Sequence, residues 1–298
     1  MGFGAKVVAD SVSPAGVRLT TLEVTMPRIV LAEFNTHRML SRNSASSRAI
    51  PVEKRIAAVE ADPFVPEAFG RNQQGMQAGE ALDGEEAEAA RENWMSACRS
   101  AVAHARSAAQ LGVHKQLANR LIEPFLWHTV LVTATEWSNF FALRCNPDAQ
   151  PEIRRVAELM REAMASSEPR PVNFGEWHLP FVEPAEAFRS DPCKVSAGRC
   201  ARVSYLTHDG RRAPEEDAAL ADRLLGSGHI SPFEHVARPF DFRCDVEAAE
   251  RFAPHTGDPF IGNFRGWVQL RKQIPNEDDF AEHLIASAAA NAMVEGAS

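Results

Sequence analysis

Three observations predict a mixed α/β fold for this chain of 298 residues. Two short stretches, Val17 to Met26 and Thr129 to Thr135, are rich in β-branched residues and read as strands. Two longer ones, about 84–111 and 153–164, repeat apolar residues at helical spacing. The composition, 45% hydrophobic and 24% charged, supplies apolar side chains for a sizeable core.

Each element has a local reason. The first strand runs into Pro27, which suits a first helical position, and the apolar run to Phe34 predicts a helix there. Pro63, Pro66, Gly70, Gly75, Gly79 and Gly84 predict an irregular surface excursion over 61–84. Asp83 and Glu86 form a capping box for a helix with Trp94, Cys98, Ala101, Val102 and Ala105 on one face. A second helix is expected from His114 to Glu123, stopped by Pro124. After the strand at 129–135, a helix carries Trp137, Asn139, Phe140 and Phe141 to Arg144. An amphipathic helix with Ile153, Val156, Ala157, Met160 and Met164 follows. Further elements are a helix at 214–225 ended by Gly226 and Gly228, a strand-like 239–244 and an Ala-rich closing helix. This divides the chain into an N-terminal segment, 1–167, a surface connector, 168–192, and a C-terminal segment, 193–298, that completes one fold.

The formal net charge of −8 argues against a general nucleic-acid or membrane-surface binder. No apolar run approaches the roughly 20 residues of a membrane span, and no signal-peptide core is visible. The five cysteines are odd in number and form no CxxC pair, which points to a reducing cytoplasm and away from zinc.

The segment Thr36-His37-Arg38-Met39-Leu40-Ser41-Arg42-Asn43-Ser44-Ala45-Ser46-Ser47-Arg48 is the densest in chemistry. It holds one histidine, three arginines, four serines and an asparagine. Hydroxyls donate to phosphate oxygens, and the arginine fork matches an anion. Alone, the run reads as a solvated capping loop. Other patches accompany it: Arg120-Leu121-Ile122-Glu123-Pro124, Asn139-Phe140-Phe141-Ala142-Leu143-Arg144, Ala201-Arg202-Val203-Ser204-Tyr205 and His229-Ile230-Ser231-Pro232-Phe233-Glu234-His235. A faint internal echo lays Ser11 to Pro14 on His229 to Pro232. It also lays Phe34 to Arg38, with Asn43, on Trp267 to Arg271, with Asn276.

These patches together resemble the flavin-dependent (ThyX-type) thymidylate synthases. The family's Arg-His-Arg-x-x-Ser-x-Asn-Glu-x-Ser-x-Arg-Tyr corresponds to Thr36 through Ala49. The order differs: Ser-Pro-Phe-Glu-His follows the arginine signature here and precedes it in the family. The chain therefore resembles a permuted or partly duplicated member.

The resemblance implies an α/β (α+β) fold with a mainly antiparallel sheet and a helical subdomain. It implies C5 methylation of dUMP, with FAD as cofactor and NADPH and methylenetetrahydrofolate as co-substrates. A homo-oligomer, dimer or tetramer, with sites shared across subunits is implied as well. Glu33, Ser44, Ser46, Ser47, Arg48, Arg120 and Arg144 would hold the pyrimidine deoxynucleotide. Thr36, His37, Arg38, Met39, Asn139, His229, Ser231 and Glu234 would surround the flavin. Arg144, Ser46 and His229 would serve catalysis, with Arg144 stabilising charge on the base, and His235 takes a structural part. The signature and the Ser-Pro-Phe-Glu-His patch must meet within one chain or across an interface, and the family's shared sites favour the interface. Thr36, Ser44, Ala49 and Glu33 replace the family's Arg, Glu, Tyr and Gln. These departures keep three alternatives open: a dCMP methylase, a hydroxymethylase, and a non-catalytic nucleotide- or flavin-binding homologue.

Overall fold

The computed structural model describes residues 2–188, 191–205, 213–245, 260–275 and 277, so the expected closing helix and Asn276 lie outside the described residues. Strands β1 (Gly4–Val12) and β2 (Arg18–Pro27) form an antiparallel hairpin. Gly16 turns the chain at φ +79°, a left-handed conformation that glycine adopts without a Cβ clash. Strand β3 (Ser41–Ser44) and strand β4 (Trp127–Ala134) extend the sheet antiparallel, and β5 (Arg170–Pro171) adds a short parallel edge to β1. The order is β3-β4-β2-β1-β5. The mainly antiparallel sheet expected above is therefore present.

The sheet is covered on both faces. Leu22, Val24, Val130, Val132 and Ala134 pack against Ile153, Val156, Ala157 and Met160 of helix α6 (Pro151–Ala165). In a second cluster Leu131 meets Cys200 and Val203 of helix α7 (Pro192–Tyr205). Central strands buried on both sides read as apolar runs, which explains the weak alternation of 17–26. A helical subdomain stands beside the sheet. Its helices α2 (Val52–Ala61) and α3 (Gly84–Gln110) pack with a 3₁₀ segment, Asn119–Phe125, through Ile56, Val59, Cys98, Val102, Ile122 and Phe125. Helix α7 lies against α8 (Pro214–Gly226), where Arg199 and Arg202 both bond the buried Asp217. Among the described residues, no helix is long and apolar enough to cross a membrane.

Several local expectations need correction. Asp83 makes no side-chain cap, and Glu86 pairs with Arg71 rather than completing a capping box. The helix expected over 114–123 is one α-turn, α4 (Lys115–Ala118), followed by the 3₁₀ segment that contains Pro124. The helix expected after Pro27 is a 3₁₀ turn, Arg28–Val30, and a short α1 (Leu31–Phe34). Strand β6 covers only Ala237–Pro239 and pairs with β9 (Trp267–Gln269). Between them β7 (Phe260–Ile261) and β8 (Phe264–Arg265) make a small hairpin. The stretch after Glu168 is not purely superficial: Val172 and His178 are fully buried.

Candidate functional site

Strand β3 sits at the sheet edge beside β4, and its alternation decides which side chains are free. Ser41 and Asn43 point inward, while Arg42 and Ser44 stay half-exposed. Arg42 folds back onto the preceding loop, where Nη1 donates to the carbonyls of Asn35 at 2.7 Å and His37 at 3.2 Å. The inward pair reaches the C-terminal segment. Asn43 Nδ2 donates to the Cys200 carbonyl at 2.9 Å, and its Oδ1 accepts from Ser231 Oγ at 3.4 Å. Ser41 Oγ accepts from Gln269 Nε2 at 3.0 Å and Asn263 Nδ2 at 3.3 Å. The signature and the His229–Pro232 turn thus meet within one chain.

Their meeting encloses a cavity of about 510 Å³, lined by Asn43, Ser44, Ser46, Arg48, His114, Gln116, His229, Ser231 and Pro232 among others. Asn119 fixes the turn behind it by donating to the carbonyls of Ser47 at 2.8 Å and Ile50 at 2.9 Å. Arg48 lies at the mouth with no ion pair among the described residues. An exposed guanidinium beside hydroxyl and amide donors is a ready anion receptor. His229 Nδ1 shares a hydrogen bond of 3.0 Å with Ser227 Oγ.

A second hollow, of about 420 Å³, takes the other half of the signature. Thr36, His37, Arg38 and Met39 line it together with Glu136, Ser138, Asn139, Phe140, Leu143, Arg144 and Arg265. Helix α5 (Ser138–Arg144) brings Asn139 and Arg144 there. Arg144 Nε donates to His37 Nε2 at 2.8 Å, and its Nη1 pairs with Glu33. Burial first, then the charges of Arg144 and Arg42, holds His37 below the ordinary histidine range, so its imidazole is neutral near pH 7. Arg38 is exposed and makes no ion pair among the described residues.

The remaining candidates sit elsewhere. Ser47 donates to Glu123, and Arg120 Nη1 contacts the same carboxylate at 3.0 Å, as does Arg28 at 3.1 Å. Glu234 pairs with Arg271, which also reaches Glu277 at 2.8 Å. Ser47, Arg120 and Glu234 line neither hollow. Conversely, His114, Gln116, Glu136, Ser138 and Arg265 line the hollows and were not among the candidates. Apart from Glu234, the predicted flavin residues divide between the hollows, with His229 and Ser231 in the cavity of Arg48 and Thr36, His37, Arg38, Met39 and Asn139 in the other.

This chain belongs to the thymidylate synthase complementing protein family, which it matches over residues 11–170. That span contains the signature and the patches at Arg120 and Asn139. Two solved structures similar to it are of the UMP/dUMP methylase PolB from Streptomyces cacaoi. The one bound with 5-Br dUMP is 17% identical, with 55% of this chain and 90% of that chain covered at a TM-score of 0.46. The one bound with 5-Br UMP is 18% identical, with 55% and 89% covered and the same TM-score. No curated protein matches the sequence.

Proposed function

We propose that the protein is a flavin-dependent C5 methyltransferase of pyrimidine deoxynucleoside monophosphates, converting dUMP to dTMP with methylenetetrahydrofolate and NADPH. The observation that carries this reading is the cavity where the family's Ser/Arg signature and the His229–Pro232 turn meet around Arg48, which has no ion pair among the described residues. Arg48 and Ser46 suit the nucleotide phosphate, as charge-assisted and hydroxyl donors. Family membership supports the thymidylate chemistry.

The donor set of the second hollow fits FAD. Arg38 offers a cation with no ion pair among the described residues, Ser138 offers a hydroxyl, and Asn139 offers an amide for a pyrophosphate, while the Thr36 hydroxyl donates to the Glu33 carbonyl at 2.7 Å. Leu143, exposed beside the buried Phe140, offers apolar surface for a ring system. The chemistry a reduced flavin supplies is hydride donation. His37, neutral and oriented by Arg144, presents a fixed hydrogen-bonding edge there. Arg48 and Arg144 line different hollows, so the reading includes a homo-oligomer in which Arg144 of one subunit serves the cavity of another.

A cytosine base is the second reading, favoured by the Glu33–Arg144 pair. A carboxylate beside Arg144 offsets part of its charge and can accept from an exocyclic amine. Both readings, as methylation or hydroxymethylation, are tested by titrating the purified protein with FAD and following flavin fluorescence. Saturable quenching at micromolar protein is expected. Unchanged fluorescence would leave only a flavin-independent nucleotide binder.

A further inference from the structure

A third hollow, of about 510 Å³, opens where α2 packs beside the start of β4. Its charged lining consists of Lys54 and Arg55 from α2 with Glu23 and Asp62, and His128 stands beside them. Glu23 and Asp62 each have an interaction of their own. Arg55 is different: it is only 5% exposed, its Nε has no hydrogen-bond partner, and it forms no ion pair among the described residues. A buried guanidinium without a counter-charge is costly. The carboxylate that most affects it, Glu123, is already contacted by Arg28, Arg120 and Ser47. Burial, then the charge of Arg28, lowers the Arg55 pKa to about 10. His128 adds no positive charge, because burial, Arg28 and Arg55 hold its pKa at about 3. Trp127, on the same wall, has a buried Nε1 without a hydrogen-bond partner among the described residues.

We propose that this hollow binds a small organic anion, a carboxylate or phosphate on an apolar body, with Arg55 as its counter-charge. The apolar wall of Ala45, Leu126, Trp127 and Val203 favours an amphiphilic ligand over a bare ion. Lys54 adds a second cation with no ion pair among the described residues. The site is separate from the cavity of Arg48, with which it shares no lining residue. Ala45 faces it, however, while Ser44 and Ser46 line that cavity, so a ligand here would bear on the same short segment.

Ligand-observed NMR with benzoate, phenyl phosphate and inorganic phosphate tests the proposal on the intact protein. Saturable binding of benzoate or phenyl phosphate is expected, weakened at least about tenfold in Arg55→Met and in Arg55→Gln, and kept in Arg48→Ala. The Met variant removes an unneutralised buried charge and is expected to fold, which a thermal melt checks, and the Gln variant gives a second reading. Loss of benzoate and phenyl phosphate together, equal binding in the Arg55 variants, or dependence on Arg48 would overturn the assignment. So would inorganic phosphate binding as tightly as phenyl phosphate.

Discussion

Arg48 and Arg144 carry the same charge in different company, and that difference sets their expected roles. Arg48 is exposed at a cavity mouth without an ion pair among the described residues, whereas Arg144 is held by Glu33 and His37. A phosphate contact contributes mostly uniform binding, while a held cation beside a base acts on charge that develops in the transition state. Arg48→Ala is therefore expected to raise KM for the nucleotide with little change in kcat. Arg144→Ala should lower kcat by about 3 kcal/mol equivalent, as for loss of one charge-stabilising donor. Equal kcat losses would refute the division, and at nucleotide concentrations far below KM mixing the two variant chains should restore activity if the arginines act across subunits. The residue types of the site were legible in the sequence; their partners were not. Nothing in the motif text tells that Arg120 and Ser47 share Glu123, or that Glu234 faces Arg271, because those pairs join segments 37 to 76 positions apart or lie within one turn by chance of packing.

At the scale of elements, strong periodicity was readable and small-residue packing was not. Helix α3, expected over 84–111, spans Gly84–Gln110, and α6 contains the whole expected stripe. Helix α7 was not foreseen, since its contact face uses Ala197, Gly198 and Ala201 and gives little apolar contrast. Strand β1 was missed because Gly, Ala, Lys and Asp dilute its pattern, and a bulge at Val8 breaks the alternation. Gly198 is the tightest point of α7 against α8: a Cβ there would stand 2.0 Å from the Asp217 carbonyl oxygen. Backbone cannot yield as a side-chain tip does, so Gly198→Ala should destabilise the fold by at least ~2 kcal/mol in denaturant melts. It would also disturb the bonds from Arg199 and Arg202 to Asp217. An unchanged melt would show that the helices are free to separate.

For the whole molecule, acid should act through buried histidines. His178 bridges Ser11 Oγ and Thr21 Oγ1, both at 2.8 Å, Thr21 contacts Thr133 at 2.7 Å, and Thr133 contacts His235 Nδ1 at 2.8 Å. His235 Nε2 is buried without a hydrogen-bond partner among the described residues. Burial leads in holding the pKa of His128, His178 and His235 at about 3, against an ordinary 6.5. Below 6.5 the unfolded chain takes up protons that the folded chain refuses. Stability is therefore full above 6.5 and falls as pH drops toward 3, by about 1.4 kcal/mol per pH unit for each histidine. Denaturant melts from pH 7 to 5 should show this slope, reduced in His178→Gln; a flat profile would contradict it.

The central claim, that this chain replaces the hydrogen at C5 of a pyrimidine nucleotide, has a direct test. Nucleotide labelled with tritium at C5, as dUMP and separately as dCMP, is incubated with the protein, FAD, NADPH and methylenetetrahydrofolate. Any substitution at C5 must release the label to water. Release that depends on FAD and disappears in Arg144→Ala is expected. Retention of tritium in both nucleotides, by protein shown to bind FAD and nucleotide, would contradict it.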